Sequence, residues 1–365
     1  MIFSRSLVRE FTTLAFGVAV VLLTIATTAV LIRLLAQAAS GILTPDTVIA
    51  FLGFSVLNYL PLVLSMTVYF AVLMTLIRSY KDSEMAVWAS SGLGLNAWLK
   101  PVLYFALPVA LLVGGLSFYL APWAQRMSAD YQRKIDTRDD VSAITPGIFY
   151  ESRYADRVIF VDKLSEDSSS INNVFSQSLQ NQKLGIVVAQ KGIQSSDKEG
   201  QRFLVLSNGR RYEGTPGRAD YKVIDFGSYS MRIEPRILAP YIPPAKALPF
   251  ESLTQNMTPE NASELHWRMS LPVSVLLLAV AAIPLSYTNP RSGKSWNLII
   301  ALLVFFIYYN FINIFQAWTM QEKIPAAIGI WPVHAAMLVV VMGLFAWRSR
   351  ESLMQIFRRH ALKSA

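Results

Sequence analysis

The sequence predicts a membrane protein with six transmembrane helices and one inserted all-β domain of the jelly-roll or sandwich type. The 365 residues are 53% hydrophobic and only 16% charged, a composition too apolar for an ordinary soluble protein. Six runs contain no Asp, Glu, Lys or Arg, three before and three after a polar middle segment. That segment has short alternating patterns, which are typical of strands.

Each uncharged run is longer than the ~20 residues that an α-helix needs to cross a bilayer. The runs are Phe11–Ile32, Thr47–Ile77, Pro101–Gln125, Met269–Pro290, Ser295–Gln321 and Ile324–Trp347. The first is predicted to be an uncleaved span, because its apolar length exceeds the roughly 7–15 residues of a signal sequence. The predicted domains are therefore two helical parts, 1–125 and 266–365, around a β domain at 126–265.

Basic residues flank the predicted spans mainly on one side. With a cytoplasmic N-terminus, the inner flanks carry Arg5, Arg9, Arg78, Lys81, Lys100, Arg291, Lys294, Arg348, Arg350, Arg358, Arg359 and Lys363, and the short outer loops carry Lys323. This positive-inside pattern predicts that both termini are cytoplasmic and that the β domain lies on the opposite side. The net charge of +9 thus reflects orientation and does not indicate nucleic-acid binding.

The middle segment contains five alternating stretches, which predict antiparallel strands. They read RVIFVDKL, INNVFSQSL, LGIVVAQKG, RFLVLSNGRRYEG and DYKVIDFGSYSMRI. Asn208–Gly209 predicts a hairpin turn, because both residues tolerate positive φ. The apolar interior of such a domain is either a plain core, which the residues favour, or a site for acyl chains. Five prolines within 234–250 predict an extended return toward the fourth span.

No catalytic or metal-binding constellation is apparent in the sequence. His266, His334 and His360 are far apart and have no carboxylate at ligand spacing. The stretch SGKS, 292–295, resembles the end of a phosphate-binding loop, but Thr288 stands where that motif requires glycine. We therefore expect no cofactor, no metal and no enzymatic activity in this chain.

The stretch SYKDSEMAVWASSG, 79–92, lies in the predicted cytoplasmic loop between spans two and three. It predicts a short helix over 80–92, with Asp82 and Glu84 in the first turn and Gly92 at the end. Such a short helix needs a surface to pack on. Trp88 could rest in the lipid interface, or the helix could bind a cytoplasmic protein through Glu84.

Three stretches resemble the LptF/LptG family of lipopolysaccharide export permeases: RSYKDSEMAVWASSG, ELHWRMSLPVSV and IPLSYTNPRSGKS. The resemblance covers the whole chain, and the N-terminal MIFSRSLVREF favours the LptF branch. It implies a permease subunit in the inner membrane of a Gram-negative bacterium, with a periplasmic β domain. It also implies a heterodimer with LptG, a dimer of the ATPase LptB that uses the ATP, and delivery of lipopolysaccharide to LptC and LptA.

The resemblance also implies roles for individual residues. Glu84, Met85, Val87 and Trp88 would belong to a coupling helix that docks on the ATPase. Arg33 would meet the phosphates of lipid A, although a lone Arg there could also be an ordinary interface anchor. Acyl-chain contacts would come from span five, through Phe305, Phe306, Tyr309 and Phe311.

Two other classes of protein compete with a permease. A secondary transporter would carry paired ionisable residues near the middle of the membrane, and the only candidates, Arg33 and His334, make no pair. A membrane-anchored periplasmic binding protein would need neither six spans nor a cytoplasmic amphipathic helix. The permease accounts for the spans, the β domain and the loop helix together.

Overall fold

The structure is a computed structural model that describes residues 2–40, 43, 45–136, 147, 149–151, 157–164, 170–180, 183–196, 202–217, 221–233, 242–287 and 296–361. Contacts divide the chain into two compact units. A helical unit contains Met1–Asp130 and Pro243–Ala365, and a strand unit contains Tyr131–Ile242. The return segment is therefore counted with the helices from Pro243 onward. The predicted boundaries at 126 and 265 stay a prediction.

The helical unit contains long helices that can serve as spans. The described α-helices are α1 Ile2–Ala39, α2 Pro45–Lys81, α3 Glu84–Ser90, α4 Leu99–Gly115, α5 Ala121–Asp136, α6 Phe250–Gln255, α7 Pro259–Leu285, α8 Trp296–Met320 and α9 Trp331–Ala361. All lie in the helical unit except the part of α5 after Asp130. Within the part of the chain that the structure describes, six segments are long and apolar enough to cross a membrane: Ser4–Ala39, Thr47–Lys81, Leu95–Arg133, Pro259–Leu285, Leu298–Met320 and Trp331–Arg348. They agree with the six predicted spans.

Helices α2 and α7 form the centre of the helical unit. Most residues in the apolar part of each are buried, whereas few residues in that of α1 are. The hydroxyl of Tyr69, a fully buried residue of α2, donates to the carbonyl oxygen of Ala301 on α8 at 2.8 Å. Helices α4 and α5 are joined by a π-helical turn, Leu116–Leu120, in which the Ser117 hydroxyl donates to the Arg268 carbonyl of α7. Polar contacts therefore connect neighbouring spans inside the apolar core.

The strand unit is an antiparallel sheet in which each strand pairs with the next along the chain. Its strands are β1 Tyr150–Glu151, β2 Arg157–Leu164, β3 Ser170–Gln180, β4 Lys183–Ser196, β5 Arg202–Gly214 and β6 Lys222–Ile233. The predicted fold class, a helical membrane protein with an inserted β domain, is confirmed. The described strands form a meander, and a jelly-roll-like double layer stays a prediction.

The predicted hairpin turn at Asn208–Gly209 is wrong, because both residues lie inside β5. Asn208 does adopt a positive φ of 53°, and Asn173 in β3 has a φ of 50°. Asn tolerates this left-handed conformation, which here bends the strands instead of ending them. Ala189 pairs with Gly209, three residues from Leu206, so regular alternation would put Leu206 on the opposite face. Ala189 and Leu206 nevertheless lie in one buried cluster. The regular alternation of side chains between the two faces of the sheet is therefore interrupted near Asn208.

Candidate coupling helix and lipid-contact residues

Helix α3 is shorter than the sequence predicts. The preceding helix α2 continues through Lys81, so Asp82 lies in the turn before α3 and not in its first turn. Ser83 adopts a φ of 60°, which separates the two helices. The predicted end is confirmed: Gly92 has a φ of 86°, and the amide of Leu93 donates to the carbonyl of Trp88 at 3.1 Å. This is the Schellman arrangement, in which a left-handed glycine closes the last helical turn.

The inner face of α3 packs on the chain's own helical unit. Met85 is buried in the core cluster, and Trp88 is partly buried against it. Val87 points outward and is 63% exposed, and Glu84 is partly exposed. A short helix needs such a packing surface. Of the four predicted coupling residues, Met85 therefore packs against the chain itself. Val87 and Glu84 are accessible to a partner.

A cluster of charges surrounds the start of α3. The guanidinium of Arg78, in the last turn of α2, contacts Glu84 at 3.2 Å, Asp82 at 3.1 Å and Glu10 of α1 at 2.6 Å. Sequence reasoning missed the pairing with Glu10, because 68 residues separate it from Arg78. The carboxylate of Glu84, which was predicted to contact a partner, therefore already forms an ion pair with Arg78.

The predicted lipid-contact residues differ in exposure. Arg33 is exposed on α1. Phe305 is only 2% exposed and packs against Tyr69 and the parallel ring of Tyr309, so its side chain has no surface for an acyl chain. Phe306 and Phe311 are each about half exposed. The structure thus disagrees with the predicted role of Phe305 and leaves two exposed aromatic candidates on α8.

Tyr309 has a different environment from Phe306 and Phe311. It is partly buried and lines a cavity of about 350 Å³ together with polar side chains that include Asn58 and Asn313. Its ring also makes an edge contact with that of Trp267, at a centroid separation of 5.6 Å. A polar cavity is a poor environment for a saturated acyl chain, so Tyr309 is a weaker acyl-chain candidate than its exposed neighbours.

A buried ion pair on α7 was not predicted from the sequence. Arg268 is 1% exposed, and its Nε donates to Glu264 at 2.8 Å. Its two terminal nitrogens donate to the carbonyl oxygens of Leu248, Ala245 and Lys246 at 2.9 to 3.2 Å. The guanidinium therefore fastens the return segment 245–248 to α7. The four-residue spacing of Glu264 and Arg268 in ELHWRMS was the available signal.

Two histidines that are far apart in sequence come near one another in the fold. The ring of Trp331 on α9 lies 6.3 Å from that of His266 and 5.6 Å from that of His334, between centroids. His334 shares a 2.6 Å hydrogen bond with the hydroxyl of Tyr308, which also contacts the hydroxyl of Ser274. These contacts join α7, α8 and α9. The hydrogen bond to Tyr308 explains how His334 can lie in the apolar core as part of the helix packing.

Comparison with known proteins identifies the family of the chain. The family model for the lipopolysaccharide export system permease LptF/LptG matches residues 5–347. The chain belongs to this LptF/LptG family. Among similar proteins are the lipopolysaccharide export system permease protein LptF of Escherichia coli K12 and that of Shigella flexneri. Each is 25% identical over 350 residues, which cover 95% of this chain and 95% of the relative.

As an LptF/LptG family member, the chain is a permease of the lipopolysaccharide export type. The match includes α1 from Arg5 onward, α2 to α8, the strands, and α9 as far as Trp347. The charged loop with α3, the entry to α7 and the span-five aromatics therefore all lie inside the matched region.

Proposed function

We propose that this chain is the transmembrane permease subunit of an ATP-driven exporter that extracts lipopolysaccharide from the inner membrane of a Gram-negative bacterium. The observation that carries the proposal is the way in which α3 is attached to the helical unit. Its Met85 face is fixed to the helical unit, and its Val87 and Glu84 face is accessible. A rigidly mounted surface helix suits the transfer of motion from a separate ATPase into the spans.

The partners follow from this role and from the family. The chain would pair with LptG, bind a dimer of the ATPase LptB through α3, and pass lipopolysaccharide to LptC and LptA. ATP would be consumed in LptB, so the chain needs no cofactor of its own and is a transport subunit. The basic flanks support an arrangement with both termini and α3 in the cytoplasm and with the strand unit in the periplasm.

Three exposed side chains are the residues most suited to contact the lipid. A guanidinium such as that of Arg33 fits the phosphate groups of lipid A. Phe306 and Phe311 present apolar surface from α8, the helix of span five. Contacts of both kinds are expected for an amphipathic lipid that carries phosphates and acyl chains.

The test uses the complex reconstituted with LptG and LptB in liposomes that contain lipopolysaccharide. Glu84→Ala is expected to lower the amount of LptB that co-purifies with the chain, and to reduce lipid release roughly tenfold or more, because a charge-assisted contact of ~1.5–3 kcal/mol is lost. Asp82→Ala is the matched control. Asp82 also contacts Arg78 but lies outside α3.

The two variants separate docking from the internal ion pairs. Asp82→Ala should keep wild-type LptB binding and nearly wild-type release. Wild-type LptB binding and release by Glu84→Ala would show that α3 does not dock on the ATPase. Failure of the wild-type complex to release lipid with ATP would refute the transport role.

A further inference from the structure

The three ion pairs of Arg78 use two edges of its guanidinium. The Nε and Nη2 atoms face Glu10 of α1, at 2.7 and 2.6 Å. The Nη1 atom faces the turn before α3 and the first residue of α3, at 3.1 Å from Asp82 and 3.2 Å from Glu84. A guanidinium can hold two partners at once because its donors form a rigid planar fork. One side chain therefore bridges the start of α3 and the N-terminal part of α1.

The helix that carries Arg78 is the fixed member of this group. Most of α2 is buried in the core, and Leu76, two residues before Arg78, is fully buried. Helix α1 is attached near Glu10 through Phe11, which is fully buried with its ring 5.6 Å from that of Phe105 on α4. Arg78 thus stands beside the place where α1 is anchored.

Between Phe11 and Val30, the side chains of α1 are exposed or only partly buried. An apolar groove of about 550 Å³ lies between α1 and α2, lined by residues that include Leu14, Val18, Phe70 and Met74. Along the groove, several other side chains of α1 face outward, such as Phe16, which is 74% exposed. Val30 and Leu34, near the other end of α1, are buried again. A helix that is held near both ends and loosely packed between them can tilt or bend when one of its anchors shifts.

We propose that Arg78 is a positioning residue that joins the coupling helix α3 to α1, so that a displacement of α3 is passed to α1 through Glu10. This inference rests on the proposed function, because α3 must be displaced by an ATPase. The carboxylate of Glu84 then has two roles: it contacts the partner, and it binds the Nη1 edge of the Arg78 guanidinium. The route is short, since a single guanidinium separates Glu84 from Glu10.

The first experiment measures lipopolysaccharide released per ATP hydrolysed by the reconstituted complex. Arg78→Gln and Glu10→Gln should each lower this ratio about twofold to fivefold, the effect of losing an ion pair whose side chains are partly exposed. The double variant should be no worse than either single variant, because both remove the same link. LptB binding should stay at the wild-type level.

Two control variants are matched to Arg78 and Glu10. Arg9→Gln removes an exposed charge next to Glu10 and should keep the wild-type ratio. Arg78→Lys keeps the charge but loses the fork, so it should restore only part of the ratio. A wild-type ratio for Arg78→Gln, or fully additive losses in the double variant, would overturn the proposal.

The second experiment measures the link directly and does not depend on lipid release. The chain has no cysteine, so Thr13→Cys on α1 and Ala89→Cys on α3, both exposed, can carry spin labels in the full complex. The distance between the labels should stay narrow in nucleotide-free and ATP-bound states, and Arg78→Gln should broaden or shift it. An unchanged distance distribution in Arg78→Gln would refute the link even where ATP-driven release is confirmed.

Discussion

Replacing Arg268 should release the return segment 245–248 from α7. In Arg268→Gln the buried carboxylate of Glu264 loses its cation, and the carbonyls of Ala245, Lys246 and Leu248 lose charged donors. Removing one partner of a buried ion pair typically costs ~3–5 kcal/mol. Because 1.36 kcal/mol is a factor of ten, ~3 kcal/mol would raise the population of the locally opened state roughly a hundredfold.

Thiol labelling can measure this opening in the otherwise cysteine-free chain. Ala247 is 3% exposed, so a cysteine at this position is protected until the segment opens. In Arg268→Gln the labelling rate of Ala247→Cys should rise roughly a hundredfold, and Arg268→Lys should give an intermediate rate because one ammonium cannot reach all four acceptors.

The control is the exposed pair of Arg210 and Asp225 in the strand unit, with side chains 63% and 72% exposed. Arg210→Gln should leave the labelling rate at Ala247→Cys unchanged, since it touches neither the ion pair of α7 nor the return segment. A rate for Arg268→Gln within twofold of the parent would refute the reasoning. If that variant does not insert, the intermediate rate expected of Arg268→Lys decides the question.

Two further predictions concern orientation and lipid binding. In intact cells with a permeabilised outer membrane, an impermeant thiol reagent should label Lys191→Cys on β4 but not Ala89→Cys on α3; the reverse pattern would refute the proposed topology. Arg33→Glu should lower co-purified lipopolysaccharide severalfold while leaving the complex assembled, because an attraction to phosphate becomes a repulsion. Arg9→Glu on the same helix should not change the lipid content, and an unchanged content in Arg33→Glu would make Arg33 an interface anchor.

The spans were the most predictable part of the fold. Hydrocarbon requires about 20 uncharged residues regardless of the neighbouring helices, so a local property of the sequence is sufficient. The strands were also recognisable from alternation, as in RVIFVDKL, which forms β2. Asn208–Gly209 was misplaced for a physical reason: the residue pair indicates a left-handed backbone but does not say whether the chain turns back or only bends.

The site was less predictable because its geometry depends on distant contacts. Nothing local to 79–92 indicates that Glu10 faces Arg78, or that the α2 helix continues through Lys81. Helix α8 is apolar on nearly all sides, so no periodicity separates the buried Phe305 from the exposed Phe306. The role of Gly92 was predictable, because a left-handed helix end has a residue signature of its own.

The division of α3 into an inner and an outer face has a consequence for engineering. Met85 and the partly buried Trp88 maintain the mount, whereas Val87 and Glu84 present the outward surface. If α3 docks on an ATPase as proposed, substitutions on the outward face would change which ATPase is recognised without disturbing the spans beneath. On that proposal, a chimaera that carries only the outward residues of a related permease would bind the ATPase of that permease while its transmembrane helices stayed unchanged.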